Sequence, residues 1–330
     1  MSRFPTLSAR TRARALFRVM ARIRAFEETV EAAAARNEIR GPVHLSIGQE
    51  AVAAGVCLNL ARRDLITSTH RGHGHALAKG ADVERMMAEL FGRARGLCGG
   101  KGGSMHVADF SVGMLGANGV VADGVPIAAG AAHALKLKKS KAVVACFFGD
   151  GAINRGPLLE GMNWAKVFAL PVLFVCEDNG YSATTRTGSM TAGAGVMARS
   201  RALDIPGLSV DGNDAEAVDR AARRLLAEVR AGKGPRLLHA RTTRVKGHIV
   251  QDQGAYRAAT DAKKNRARDP MIRLGRRLVA LGLAPAAVEA DAAHARAEMA
   301  RAMTKAQAAP RPKPAAAFQD VQDAGDGQWL

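Results

Sequence analysis

The 330-residue chain is poor in aromatic side chains: they make up 4% of it, with only two Trp and two Tyr. Few rings are left to stack on bases, so a net charge of +18 does not by itself argue for nucleic acid. Cysteine pairs are missing too. Cys57, Cys98, Cys146 and Cys176 form no CxxC motif, and two of them lie inside apolar runs, as reduced core residues do. No apolar stretch is long enough to span a bilayer, and the chain does not open on a secretory segment. The expectation is a cytoplasmic protein that binds neither membrane nor nucleic acid. Acid is absent from residues 1–26, which carry seven Arg, and residues 261–313 carry twelve Lys/Arg against five acids. The charge thus sits on two flanks, and residues 27–260 are only mildly basic. The acid-free start has the look of a mitochondrial presequence. Leu16, Val19, Met20, Ile23 and Phe26 nevertheless follow helical spacing straight into Glu27 and Glu28, so residues 8–36 read as a structural helix.

Two phosphate fingerprints are also lacking. A P-loop ending at Gly100-Lys101 needs glycine at position 95 and a hydroxyl at 102, where the chain has Arg95 and Gly102. A dinucleotide fingerprint starting at Gly149 needs a third glycine at 154, where Asn154 stands, which weakens a nicotinamide oxidoreductase reading.

What is present is enough apolar residue, 48%, to bury a full core. Continuous apolar runs at 142–148, 171–177 and 235–243 alternate with helical patterns at 48–61, 82–92, 124–138, 154–168, 214–231, 269–281 and 286–304. That alternation predicts an α/β fold: a mostly parallel sheet with helices on both faces. Residues 1–304 read as a single domain and the Ala/Pro-rich 305–330 as an exposed tail. Glycine-rich loops crowd residues 92–130, a length that in a compact domain suggests function as well as tight turns.

The strand–helix–strand unit 142–177 places both strand ends on one edge of the sheet. Asp150 in "FFGDGAINRG" and Asn179 in "FVCEDNGYS" follow those ends. Alone, each is an ordinary turn residue. Together, a carboxylate, an amide oxygen and a loop carbonyl are hard donors of the kind Mg²⁺ takes beside phosphate and water. The helix starting near Asn154 adds free N–H groups for an anion, and Pro157 costs little in its first turn.

The pattern G149-D150-G151 with D178-N179 thirty residues on resembles the thiamin diphosphate motif. With "GPVHLSIGQEA", "HRGHGHALAKG", "GKGGSMHVAD", "GMLGANGVVADG", "IPGLSVDGNDAEAV" and "RVKGHIVQDQGAYR", the chain resembles the alpha subunit of the decarboxylating component of 2-oxo acid dehydrogenases. "TSTHRGHGHALAKG" is most similar to the acetoin dehydrogenase branch. The resemblance implies a thiamin diphosphate-binding fold, with Mg²⁺ held by the side chains of Asp150 and Asn179 and the carbonyl of Tyr181. Gly151 and Ala152 would donate N–H groups to the diphosphate and Arg71 a charge-assisted contact, while Gly119 and Val121 would line the cofactor. His248 and His44 match active-site histidines, with His70 beside the cofactor; in isolation each histidine would be a satisfied structural residue. His70, His73 and His75 have the spacing of a transition-metal site, but no Cys or acid completes it in the neighbouring sequence.

The resemblance further implies a beta subunit in an α2β2 heterotetramer, which carries the Glu that activates the cofactor, and a lipoyl acyltransferase that takes the acyl group. The substrate would be acetoin or pyruvate, with a branched-chain 2-oxo acid as the alternative. Ile249 stands where mitochondrial members carry a phosphorylatable Ser. Asp178 replaces the first Asn of the usual pair, and it is expected to face away from the diphosphate and hydrogen-bond the loop.

Overall fold

The computed structural model describes residues 8–258 and 265–319. Helix α1 (Ala9–Ala35) starts at Ser8, whose hydroxyl accepts from the Thr11 N–H. Leu16, Phe17, Met20, Ile23, Phe26 and Val30 repeat at helical spacing along it and are all buried. Each such side chain contributes roughly 2 kcal/mol of transfer free energy. The same helix accounts for much of the basic flank: Arg14 and Arg18 pair with Asp291, Arg22 with Glu298, Arg12 with Asp219, and Arg24 with Glu50 and Asp269. These arginines pair with acids of neighbouring elements, so much of the flank's charge is matched within the fold.

Strands β1 (Leu65–Thr67), β2 (Met114–Gly116), β3 (Val144–Gly149) and β4 (Val172–Asp178) come first, followed by a short antiparallel hairpin of β5 (Tyr181–Ser182) and β6 (Thr185–Arg186). Strands β7 (Gly207–Asp211) and β8 (Arg236–Arg241) complete one six-stranded parallel sheet in the order β2-β1-β3-β4-β8-β7. The α/β expectation holds. Alternate residues of β3 and β4 serve two cores: Val144, Cys146, Phe148, Phe174 and Cys176 pack on one face, while Ala145, Phe147, Leu173 and Val175 pack on the other. Because both faces are covered, the runs are apolar throughout.

Helices α2 (Glu50–Cys57), α3 (His73–Lys79) and α4 (Val83–Leu90) lie on the α1 side of the sheet; α5 (Gly124–Leu137), α6 (Gly156–Val167) and α7 (Gly195–Ala202) cover the other face. Helices α8 (Ala215–Arg230), α9 (Pro270–Ala280) and α10 (Pro285–Ala308) return to the first.

Several boundaries differ from the sequence expectation. The helix read as 48–61 is confined to α2, and the one read from 154 begins at Gly156 after a 3₁₀ turn over Asp150–Asn154. Helix α10 runs four residues past 304, with Ala306 buried, and the Pro310 carbonyl accepts from the Ala94 N–H at 2.9 Å. The first part of the stretch read as an exposed tail is thus helical and touches the body of the protein at Ala306 and Pro310, while most of its residues up to 319 are exposed; residues 320–330 lie outside the described residues. Among the described residues, no helix is long and apolar enough to cross a membrane.

From β1 the chain passes to β2 on one side and then to β3 on the other, so the strand order reverses between β1 and β3. A parallel sheet opens a crevice beyond its carboxyl edge at such a point.

Candidate active site

A cavity of about 210 Å³ opens at this edge. It gathers His44, His70, Arg71, Gly119, Val121, Asp150, Gly151, Ala152, Asn179, Tyr181 and His248, so the structure brings all eleven sequence-selected residues to one place. The turns after β3 and β4 set the floor. Asp150 is buried, with Oδ2 accepting from Thr187 Oγ1 at 2.6 Å, and burial pushes its carboxyl up to about 6. Asn179 donates from Nδ2 to Gln49 Oε1 at 2.8 Å, which fixes the amide, and its Oδ1 accepts from the Tyr181 N–H at 3.2 Å. A Cβ at Gly151 would come within 2.4 Å of Ser182 Oγ, so glycine is required for the close approach of the two turns.

The opposite wall is cationic and aromatic. Arg71, only 4% exposed, donates to the carbonyls of Leu45 at 2.7 Å and His248 at 2.9 Å, and to His248 Nδ1 at 3.0 Å. Burial and the nearby Arg244 lower its guanidinium to about 9. Arg244 also approaches His248 Nδ1, at 3.4 Å. Guanidinium groups only donate, so Nδ1 accepts and the His248 proton resides on Nε2. The rings of His44, His70 and His248 meet edge to face, with centroids 4.6, 4.7 and 5.6 Å apart. Burial, with Arg71 next in importance, lowers them to about 3, 2 and 4. At neutral pH they are three uncharged imidazoles.

The His70, His73 and His75 spacing does not form a cluster. His73 turns to Glu27 at 3.1 Å and to the Ser104 carbonyl at 3.0 Å; His75 turns to Ser68 at 2.7 Å and Glu177 at 3.4 Å. Sequence proximity hid Glu27, which reaches His73 from α1. Asp178 accepts from the Gly180 N–H at 3.1 Å and meets His239 Nε2 at 2.8 Å, so it bonds its own turn as expected, and a partner on β8 joins it.

Sequence reasoning missed several supporting residues. Asp252 accepts from the His248 N–H at 2.5 Å and from the Tyr256 hydroxyl at 2.8 Å, fixing the histidine loop. Arg244 and Asp252 sit four residues either side of His248, and that spacing was the available signal. Glu89 folds the glycine-rich loop by accepting from the N–H groups of Cys98, Gly100, Gly102 and Gly103. At the rim, Ala122 takes a left-handed φ of 77°, and the exposed Val121 precedes it.

The donor set suits a metal-bound diphosphate: hard oxygens on one side, a buried guanidinium on the other. His44 Nδ1 is buried in the cavity wall without a hydrogen-bond partner, as a residue awaiting a ligand would be.

Sheet and cavity together define an α/β protein with a cavity beyond the carboxyl edge of a parallel sheet, where folds of this kind bind their ligands. The chain belongs to the dehydrogenase E1 component family, whose model matches residues 18–315. It is 49% identical over 242 residues to the acetoin:2,6-dichlorophenolindophenol oxidoreductase alpha subunit of Bacillus subtilis, covering 73% of each chain. The subunit of the same name from Cupriavidus necator is 42% identical over 308 residues, covering 93% of this chain and 92% of the relative. The pyruvate dehydrogenase E1 alpha subunit of Zymomonas mobilis is 41% identical over 271 residues, 81% of this chain and 76% of its own length. The family read from the GDG and DN turns is the one that residues 18–315 match.

Proposed function

We propose that this chain is the alpha subunit of a thiamin diphosphate-dependent acetoin dehydrogenase, active with a beta subunit and delivering its acyl group to a lipoyl acyltransferase. The observation that carries this reading is the convergence of Asp150, Asn179 and Tyr181 at adjoining strand ends, across one cavity from Arg71 and three neutral histidines. Family membership supports the cofactor, and relatives named for acetoin favour acetoin over pyruvate.

In this reading Asp150, Asn179 and the Tyr181 carbonyl hold Mg²⁺, and Arg71 with the N–H groups of Gly151 and Ala152 holds the diphosphate. Val121 and Gly119 support the cofactor at the rim. When bound, thiamin diphosphate supplies an electron sink for the bond broken beside the substrate carbonyl. The protein's own part is orientation and proton handling. His248 presents Nε2–H as a donor to a substrate oxygen because Arg71 occupies Nδ1. His44 Nδ1 has no protein partner and serves a second oxygen. Uncharged imidazoles exchange hydrogen bonds with acetoin's hydroxyl and carbonyl without leaving a charge buried.

Calorimetry on the co-expressed alpha–beta complex tests this. Thiamin diphosphate is expected to bind only with Mg²⁺, and acetoin to drive faster dye reduction than pyruvate. Binding indifferent to Mg²⁺ removes the cofactor assignment; faster turnover of pyruvate replaces the substrate.

A further inference from the structure

Two interlocked amides on the cavity floor fix what Gln49 presents to a ligand. The Tyr181 backbone N–H only donates, so the Asn179 atom 3.2 Å from it is Oδ1 and the amide nitrogen points the other way. That nitrogen donates to Gln49 at 2.8 Å, so the Gln49 atom receiving it is Oε1. An amide oxygen accepts twice, which leaves Asn179 Oδ1 a lone pair for a metal. On Gln49 the remaining polar atom is Nε2, an N–H₂ group for which none of the described residues is an acceptor.

Gln49 is only 2% exposed and lines the cavity, so the little of it that is open faces the cavity. Its backbone is pinned from several elements. The Gln49 N–H donates to the Ser46 carbonyl at 2.9 Å, while the neighbouring Ile47 and Gly48 carbonyls accept from the Val245 N–H and from Asn213 Nδ2, each at 3.0 Å. Although Gln49 stands at the N-cap of α2, its side chain leaves the helix uncapped and turns to Asn179. A donor held this rigidly and without a protein partner is available to a ligand in the cavity.

We propose that Gln49 is a further cofactor-binding residue, with Oε1 orienting the Asn179 amide toward the metal and Nε2–H₂ donating to an oxygen of the diphosphate. The inference rests on the thiamin diphosphate reading of this cavity. It adds a neutral donor on the metal side, across from the Arg71 guanidinium, and the neutrality has a use. Beside Asp150 a cationic donor would compete with Mg²⁺ for the carboxylate, whereas an amide N–H₂ holds the anion and leaves the acid to the metal.

Thiamin diphosphate is titrated calorimetrically, with and without Mg²⁺, into the co-expressed alpha–beta complex of the parent and of two variants. Gln49→Glu keeps an oxygen for Asn179 and exchanges the donor for a charge of the diphosphate's own sign; Gln49→Met keeps the length and removes donor and acceptor together. Mg²⁺-dependent affinity should fall ~100-fold or more in Gln49→Glu and ~10-fold in Gln49→Met. The uncharged variant keeps the test open should burial of a new charge prevent folding. Parent-like affinity in Gln49→Glu beside a loss in Gln49→Met leaves Gln49 only the orienting of Asn179 and overturns the donor assignment. Parent-like affinity in Gln49→Met overturns the whole proposal. A parent that binds without regard to Mg²⁺ removes the cofactor reading itself, so the two failures are distinguishable.

Discussion

Asp150 and Asp178 end neighbouring parallel strands, yet they live in opposite electrostatic conditions. Asp150 is buried with one hydroxyl donor from Thr187, and burial raises it to about 6. Asp178 is half-buried; burial pushes it up as well, but the hydrogen bond and charge of His239 win and hold it below its ordinary value. The difference lies in β8, which supplies the His239 imidazole to one turn and no partner to the other. A carboxylate already paired within the fold gains little from a metal, whereas one that is buried and uncompensated gains much.

The largest effect should come from the uncompensated acid. Asp150→Asn keeps the shape and hydrogen-bonding size of the side chain and removes its charge. Mg²⁺-dependent thiamin diphosphate affinity should fall ~100-fold or more, about 3 kcal/mol. Calorimetry reads this directly, and an unchanged affinity would erase the distinction between the two turns.

Metal-free protein gives the same contrast through pH. Asp150 is raised from 3.8 to about 6, so its contribution to stability is complete below 3.8 and is lost as pH rises through 6. Asp178 is lowered from 3.8, so its contribution is present above that value and is lost as pH falls below it. The lowered imidazoles of His44, His70 and His248 remove stability as pH falls below 6.5, in parent and variant alike. The informative quantity is therefore a difference. In EDTA, Asp150→Asn should gain about 2 kcal/mol on the parent between pH 4 and 7. Thermal melts across that range measure it, and parallel curves would mean that Asp150 carries no burial penalty.

His239→Ala attacks the pairing on the other turn. Asp178 would keep the Gly180 N–H but lose its imidazole partner, costing about 1 kcal/mol of stability because the pair is part-exposed. Thiamin diphosphate affinity should drop only severalfold, as an unpaired carboxylate begins to repel the diphosphate. A loss as large as that of Asp150→Asn would show that the two turns contribute alike.

The position of these two turns was legible because β3, β4 and β8 are runs of six or seven residues, long enough to read as buried strands. Strands β1 and β2 have three residues each, and β7 is a half-buried edge strand containing glycine and serine, so none of them stands out from loop sequence. The histidine cluster came from likeness to a family: His44, His70 and His248 are far apart in the chain, and only the packing of their loops joins them. His239 could not be assigned to Asp178 in advance. Sixty-one residues separate the two, and the register that aligns Cys176 with His239 brings the ring to the acid. Gln49 was missed for the same reason, since it reaches Asn179 from 130 residues away, whereas Arg244 and Asp252 act on His248 within one loop.

Asp178→Asn should have the smallest effect, and it tests the comparison most narrowly. The amide oxygen can still accept from the Gly180 N–H, and the amide N–H₂ can donate to the His239 ring nitrogen, so the turn keeps both of its hydrogen bonds. The carboxylate is turned to its own loop and to His239, so little of its field at the diphosphate is removed. Affinity for Mg²⁺ and thiamin diphosphate should stay within roughly twofold of the parent, in keeping with the small net worth of part-exposed pairs. A gain of tenfold would place the Asp178 charge against the diphosphate. A loss of that size would make Asp178 part of the metal site, and the contrast between the two strand ends would then be one of degree only.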